Sequence, residues 1–334
     1  MKPRAFCEFP AGLAAVSLRL HGGPHCRPPI SRMGNKAGYA EVILAAMGLR
    51  SGEGAGAYLW AEADPDVRAL LRAYPDAEML RKIAEVIRGW ADEEPRALWE
   101  RLRAERKARG PTEGPECGRL AAYAQIVASN RLIHVAGPEL TNTGVGGTTF
   151  GGPDFATPAA DVAAGFERVA GWVVSSTWSY EQGNVATGYC GPGDRRQDTT
   201  ATATATSRLA ERGRWPPVAV LPAIPTAAEV ATWLGTPGDL DGVVTYMDPP
   251  YVGTTGYGAV LTREEVIAHA RDFDALGAVV CISEAEPVID GWHATEITGG
   301  RKGQKRTFSK QQREWLTMNR APAATVAVQV GMFG

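Results

Sequence analysis

The chain is 334 residues long and 44% hydrophobic, enough for about two domains at roughly 150 residues each, or one α/β domain with a large insertion. This composition excludes disorder of the whole chain, and no run approaches the roughly 18 consecutive apolar residues of a transmembrane helix. With 35 basic against 37 acidic residues the formal charge is −2, which by itself signals no polyanionic partner.

From the N-terminus, Met1 to Leu20 carries Glu8 ahead of its apolar run and lacks the basic-then-apolar order of a secretory signal. Five cysteines, Cys7, Cys26, Cys117, Cys190 and Cys281, form an odd set with no CxxC pair. Reduced thiols in the cytoplasm are expected, with no zinc knuckle. Residues 1–30 hold His21-Gly22-Gly23-Pro24 and Arg27-Pro28-Pro29, which predicts an irregular arm. The HxxxH pair His21 and His25 lies in that arm rather than on a helix, so no metal site is expected.

Tyr39 to Leu49 places Val42, Ile43, Ala46 and Met47 on one face of a core-facing helix, ended by the Gly-rich turn Ser51 to Gly56. Ala57 to Ala61 reads as a short buried strand, and the acid-rich start Glu62 to Asp66 opens a helix over Val67 to Tyr74. Met79 to Trp90 and Pro95 to Arg109 are two further helices, the second charged nearly all round and so solvated. Gly118 to Arg131 is another apolar-periodic helix, completing a first part over residues 31–136. Residues 137–225 read as a loop-rich insertion, a possible target-recognition region. Trp172 and Trp178 there serve as core or as base-stacking platforms, and Thr199 to Thr206 as a flexible spacer.

Residues 226–334 show a clearer alternation: helix Ala227 to Leu234, strand Gly242 to Met247, helix Thr262 to Leu276 and strand Ala278 to Ser283. Strands over Trp292 to Ile297 and Glu314 to Asn319 follow. Such alternation predicts an α/β fold with an open, mostly parallel sheet.

Asp248-Pro249-Pro250-Tyr251 directly follows the apolar strand VVTYM, so it belongs at the carboxyl end of a strand, where open α/β sheets bind ligands. Asp248 offers a carboxylate acceptor, the two prolines hold the backbone extended, and Tyr251 supplies a flat π-face. Together these groups suit a planar amine held by both of its N–H bonds. An exocyclic amine on a nucleobase is a poor nucleophile because its lone pair is delocalised. Two acceptors on its hydrogens that favour the pyramidal nitrogen of the transition state release that pair for attack, and an aromatic ring stacks on the flipped base. The competing reading of the tetrapeptide is a strand-ending turn.

This tetrapeptide after a hydrophobic strand resembles the catalytic motif of the Dam-type DNA adenine amino-methyltransferases, part of the S-adenosylmethionine-dependent methyltransferase superfamily. Arg32-Met33-Gly34-Asn35-Lys36 is similar to their GxK element, which helps bind the methionine end of the cofactor. Glu62-Ala63-Asp64-Pro65-Asp66-Val67 resembles the acid-led element after the second strand that holds the cofactor ribose. Glu62 would take that acid's place, with Asp64 as rival and helix capping as the alternative for both. Ser283-Glu284 is similar to a Ser-Asn-like element lining the pocket. For the family's Glu-Pro-Phe-x-Gly-x-Gly loop, the nearest candidate is Gly52-Glu53-Gly54-Ala55-Gly56.

The resemblance implies a Rossmann-like methyltransferase fold, a mostly parallel sheet ending in an antiparallel hairpin. It implies methyl transfer from S-adenosylmethionine to the exocyclic amine of adenine in double-stranded DNA after base flipping. Transfer is expected in line, without a covalent enzyme intermediate or a metal. The implied catalytic residues are Asp248, Pro249, Pro250 and Tyr251, and the cofactor residues are Gly34, Lys36, Glu62, Asp64 and Ser283. A bacterial or phage-infected cytoplasm is the implied setting, as in restriction-modification. Cytosine as the target base, or a cofactor-free DNA-binding descendant of such an enzyme, are the alternative readings.

Lysine is scarce, yet three of the seven lysines fall between Gly299 and Arg313. Arg301, Lys302, Lys305, Arg306 and Lys310 lie there with no acid among them. The segment either contacts DNA phosphates or forms a solvated loop.

Overall fold

A computed structural model describes residues 2–29, 36–63, 65–109, 170–171, 173–174, 199–249, 261–297 and 314–323. Seven strands form one sheet in the order β3-β2-β1-β4-β5-β7-β6. They are β1 (Ala5–Phe9), β2 (Tyr58–Ala61), β3 (Val218–Leu221), β4 (Val243–Met247), β5 (Val279–Glu284), β6 (His293–Glu296) and β7 (Trp315–Met318). The first five are mutually parallel, whereas β7 runs antiparallel to both β5 and β6. The α/β class and the terminal antiparallel pair match the expectation from sequence, and the architecture is Rossmann-like.

Helices cover both faces. On one side lie α1 (Ala15–Gly22), α2 (Ala40–Ala46), α3 (Pro65–Ala73), α4 (Ala77–Gly89) and α5 (Pro95–Arg109), whose buried residues form a core with Phe6, Tyr58, Trp60, Val244 and Tyr246. Next in the chain, α6 (Thr199–Ala210) packs on α4, on the same side. On the other side α7 (Ala227–Trp233) and α8 (Arg263–Ala275) pack against Ala5, Cys7, Phe9, Val243, Met247, Val280 and Ile282. Strands sandwiched in this way are apolar on both faces and show no alternation. Both α7 and α8 begin with a capping box: Thr226 and Thr262 each accept from the amide of an N3 glutamate whose carboxylate returns to the cap amide.

Several expectations are corrected. Residues 1–30 are not an irregular arm: β1 lies in the middle of the sheet, with all five of its residues buried between β2 and β4, and α1 packs behind it. The Gly/Pro signals that suggested an arm fall after α1, where Gly23 takes a φ of 85° at its C-cap. Thr199 to Thr206 is not a spacer but the body of α6, and it buries Thr199, Thr202, Ala203 and Thr206 at helical spacing. With α6 packed on α4 and β3 at the sheet edge, residues 199–225 belong to the α/β body rather than to an insertion. Trp172, Trp178 and the helix expected over Gly118 to Arg131 lie outside the described residues.

The turn Gly52 to Gly56 precedes β2 and therefore lies at the amino edge of the sheet, opposite the carboxyl edge where ligands bind. Its amides serve other ends: Gly52 donates to Arg19 O, Gly54 to Leu20 O and Gly56 to Pro3 O. A Cβ on Gly56 would collide with the Arg4 carbonyl oxygen. Gly56→Ala is therefore expected to destabilise the fold by about 2 kcal/mol, the usual cost of overpacking against backbone. Urea unfolding checks this, and an unchanged midpoint would show that the chain yields there. Among the described residues no helix is long and apolar enough to cross a membrane.

Candidate active site

The strand order reverses between β1 and β4: from β1 the chain builds outward through β2 and β3, and from β4 it builds outward the other way. In a doubly wound sheet the crevice for ligands opens outside the carboxyl ends of the strands at such a switch point. Two segments meet there, the turn 10–14 after β1 and Asp248-Pro249 after β4. They are joined where the Asp248 amide donates to Phe9 O at 3.0 Å.

On the β1 side, Glu8 is buried and takes the place of a helix cap for α1. Ala14, the N-cap residue, has a left-handed φ of 50° and no capping side chain. The Glu8 carboxylate instead accepts from the Val16 amide at 3.3 Å, the Ser17 amide at 2.8 Å and the Ser17 hydroxyl at 2.5 Å. Trp60 Nε1 donates to that hydroxyl at 2.9 Å, tying β2 to the same point. Burial pushes the Glu8 pKa up to about 7, against the opposing pull of these donors, and the charge of Asp248 adds to the rise.

The turn itself is open. Gly12 has a φ of 49°, and a Cβ there would meet nothing within 4 Å. Glu62, directly after β2, accepts from the Gly12 amide at 2.9 Å and so fastens the turn after β1. Arg68 covers the backbone ahead of α3, donating to Glu62 O and Ala63 O.

On the β4 side lies a network of buried charge. Lys36 opens a 3-10 turn, Lys36–Gly38, ahead of α2. Arg19 of α1 positions that turn by donating to Glu41 Oε1 at 2.8 Å and to Ala37 O at 3.4 Å. The buried Lys36 ammonium lies 2.9 Å from Asp248 Oδ1 and 3.4 Å from Glu314 Oε1. Ser283, fully buried on β5, donates its hydroxyl to the same Glu314 oxygen at 2.5 Å. Burial acts to lower the Lys36 pKa, yet Asp248 and Glu314 more than offset it and hold the ammonium charged. Burial pushes the Asp248 pKa up to about 6, with Lys36 acting downward and Glu314 and Glu284 upward.

Of the residues singled out from sequence, the structure brings Lys36, Asp248, Pro249 and Ser283 to one end of the sheet, with Glu62 along the same carboxyl edge. Lys36, expected on the cofactor side, touches the carboxylate of the DPPY element, and Ser283 supports Glu314. Gly34, Asp64, Pro250, Tyr251, Arg301, Lys302, Lys305, Arg306 and Lys310 lie outside the described residues.

Three site residues escaped the sequence reading: Glu8, Gly12 and Glu314. For the first two a signal existed. Ala5 to Phe9 is an apolar run broken only by Glu8, followed by Pro10-Ala11-Gly12 and the small residues that begin α1. That is a strand, a glycine turn and a helix in order, and Glu8-Phe9-Pro10-Ala11-Gly12 holds the place in the fold sought for a Gly-rich loop. Glu314 had no local signal.

Among the described residues, no three His, Cys, Asp or Glu side chains are placed to hold a metal ion. No protein-family model matches the chain, and no curated protein matches it. Sheet order and edge geometry thus define the class: a doubly wound α/β protein with a buried carboxylate–lysine centre at its switch point.

Proposed function

We propose that this chain transfers a methyl group from S-adenosylmethionine to the exocyclic amine of adenine in double-stranded DNA. The observation that carries the reading is the position of Asp248-Pro249 at the carboxyl end of β4, beside the switch point, with Lys36 2.9 Å from the carboxylate. The antiparallel end of the sheet is the one the family resemblance implies.

The residues present fit the cofactor by their chemistry. S-adenosylmethionine carries a net positive charge, a sulfonium and an ammonium against one carboxylate, and the acids Glu8 and Glu62 stand on the β1 side of the crevice. The open Gly12 turn leaves room for close approach. Glu62 follows β2 on the same edge, beside the Gly12 turn, and the resemblance assigns it the acid that meets the ribose diol. Glu62 and the turn after β1 would hold it, with Gly34 and Asp64 assigned by the resemblance. When bound, S-adenosylmethionine supplies an electrophilic methyl group.

The chain's own part is to prepare the amine. Asp248 accepts one N–H bond of the flipped base, the Pro249 carbonyl accepts the other, and Tyr251 stacks on the ring. Lys36 holds the Asp248 carboxylate in place for that contact. After transfer the amine nitrogen carries one proton too many. Asp248, raised to about 6 by burial, is a base able to take it.

The test is incubation of the purified chain with S-adenosylmethionine and unmethylated bacterial DNA, digestion to nucleosides and mass spectrometry. Methyladenosine is the expected product. Methylcytidine would move the target to cytosine, and the absence of any methylated nucleoside alongside salt-sensitive DNA binding would favour a binding protein without transfer.

A further inference from the structure

Glu314 is the acid in this centre that the proposed chemistry leaves without a task. Because β7 runs antiparallel to β5, with Glu284 opposite Trp315, the residue that precedes β7 stands at the carboxyl edge beside Ser283. Glu314 is buried, and a buried carboxylate is costly unless it is paired and hydrogen-bonded. Here both conditions are met by one oxygen: Oε1 accepts from Ser283 at 2.5 Å and lies 3.4 Å from the Lys36 ammonium. That ammonium is the one 2.9 Å from Asp248. A lysine on its four-carbon stem is a flexible point charge. A second carboxylate, itself anchored by a hydroxyl, removes that flexibility.

Resting on the transfer reading above, we infer that Glu314 is a positioning residue. Anchored by Ser283, it fixes the Lys36 ammonium that orients the Asp248 carboxylate, and by sharing that ammonium it leaves Asp248 incompletely neutralised and able to accept the amine N–H. Among the described residues, the charged groups facing Asp248 are Lys36 from the 3-10 turn, Glu314 beside β7, Glu284 from β5 and Glu8 from β1. Removing the charge of Glu314 leaves the pull of Lys36 less opposed, so the Asp248 carboxyl becomes more acidic.

Two variants test this. Glu314→Gln keeps the shape and removes the charge, and is expected to lower kcat by about 10- to 100-fold, the scale of a misplaced catalytic group. KM for S-adenosylmethionine and for DNA should hold, and the acid limb of the kcat–pH profile should move to lower pH. Ser283→Ala keeps the charge and frees its anchor, so kcat should fall with the acid limb in place. Urea unfolding identifies a variant that fails to fold, and in that case the other decides. An unchanged kcat, or a rise in KM alone, overturns the inference. If the wild type transfers no methyl group, the transfer reading itself has failed. The shared ammonium is then read directly, by titrating the Asp248 carboxyl carbon with NMR in wild type and Glu314→Gln. A lower pKa in the variant supports the sharing, and equal values overturn it.

Discussion

Asp248→Ala is expected to lower methyl transfer by about 10³-fold while leaving affinity for S-adenosylmethionine largely unchanged. The size follows from removing a preorganised hydrogen-bonding group aimed at the reacting atom, which costs about 10²- to 10³-fold where it has been tested, at the upper end when charge is lost as well. The selectivity follows from the site. Asp248 follows β4, whereas the open turn after β1 and Glu62 after β2 lie on the other side of the switch point. The substitution does not strand Lys36, because Glu314 remains 3.4 Å from its ammonium. Initial rates of nucleoside methylation and a calorimetric titration with S-adenosylmethionine measure the two effects separately. Undiminished transfer would remove Asp248 from the reaction, and joint loss of binding would move it to the cofactor side.

The second large effect is on stability and concerns Glu8. Its pKa rises from an ordinary 4.5 to about 7 because burial penalises the charged form. Between those values the folded chain holds a proton that the unfolded chain releases. The stability this group contributes is therefore full below about pH 4.5 and is lost as pH rises through about 7. At about 1.4 kcal/mol per pH unit the loss is on the order of 3 kcal/mol. Glu8→Gln has the same shape and does not titrate; its one amide oxygen can still accept from the Ser17 amide, while the Val16 amide, held by the other carboxylate oxygen, loses its acceptor at every pH. The difference in unfolding free energy, wild type minus Glu8→Gln, should therefore fall by on the order of 3 kcal/mol between pH 4.5 and 8. Asp248, raised from 3.8 to about 6, gives the same sign in both proteins, and its repulsion of Glu8 is the smallest of the causes acting on that acid. Urea unfolding at a series of pH values decides the matter, and parallel curves would place the Glu8 titration elsewhere.

Local rules served the second half of the chain well. The capping boxes at Thr226 and Thr262, the strands VVTYM and VVCISE, and the DPPY tetrapeptide after the first of them are each contained within a few residues. The first strand was hidden for a physical reason. A central parallel strand is buried on both faces, so Ala5 to Phe9 shows no alternation, and the residue that breaks its apolar run, Glu8, is a buried acid whose partners lie in α1. Glycines and prolines further on then coloured the whole stretch as irregular. Thr199 to Thr206 misled in the opposite way: β-branched threonine is a weak helix former, and burial against α4 overrides that preference. Glu314 lay beyond any local reading, because its meaning depends on Ser283 and Lys36, both far away in the chain.

The reversal of β7 also fixes how the basic stretch is attached. Ile297 and Glu314, the described residues that flank it, meet at the carboxyl edge, where the Ile297 amide donates to Glu314 O at 2.7 Å. Between two points of the chain already closed by such a bond, added length carries a small entropic cost, since doubling a connection adds only about 0.6 kcal/mol. The sheet would be indifferent to what is written between those two residues. A change in the number of residues between Ile297 and Glu314 would therefore leave the pairing of β6 with β7 intact.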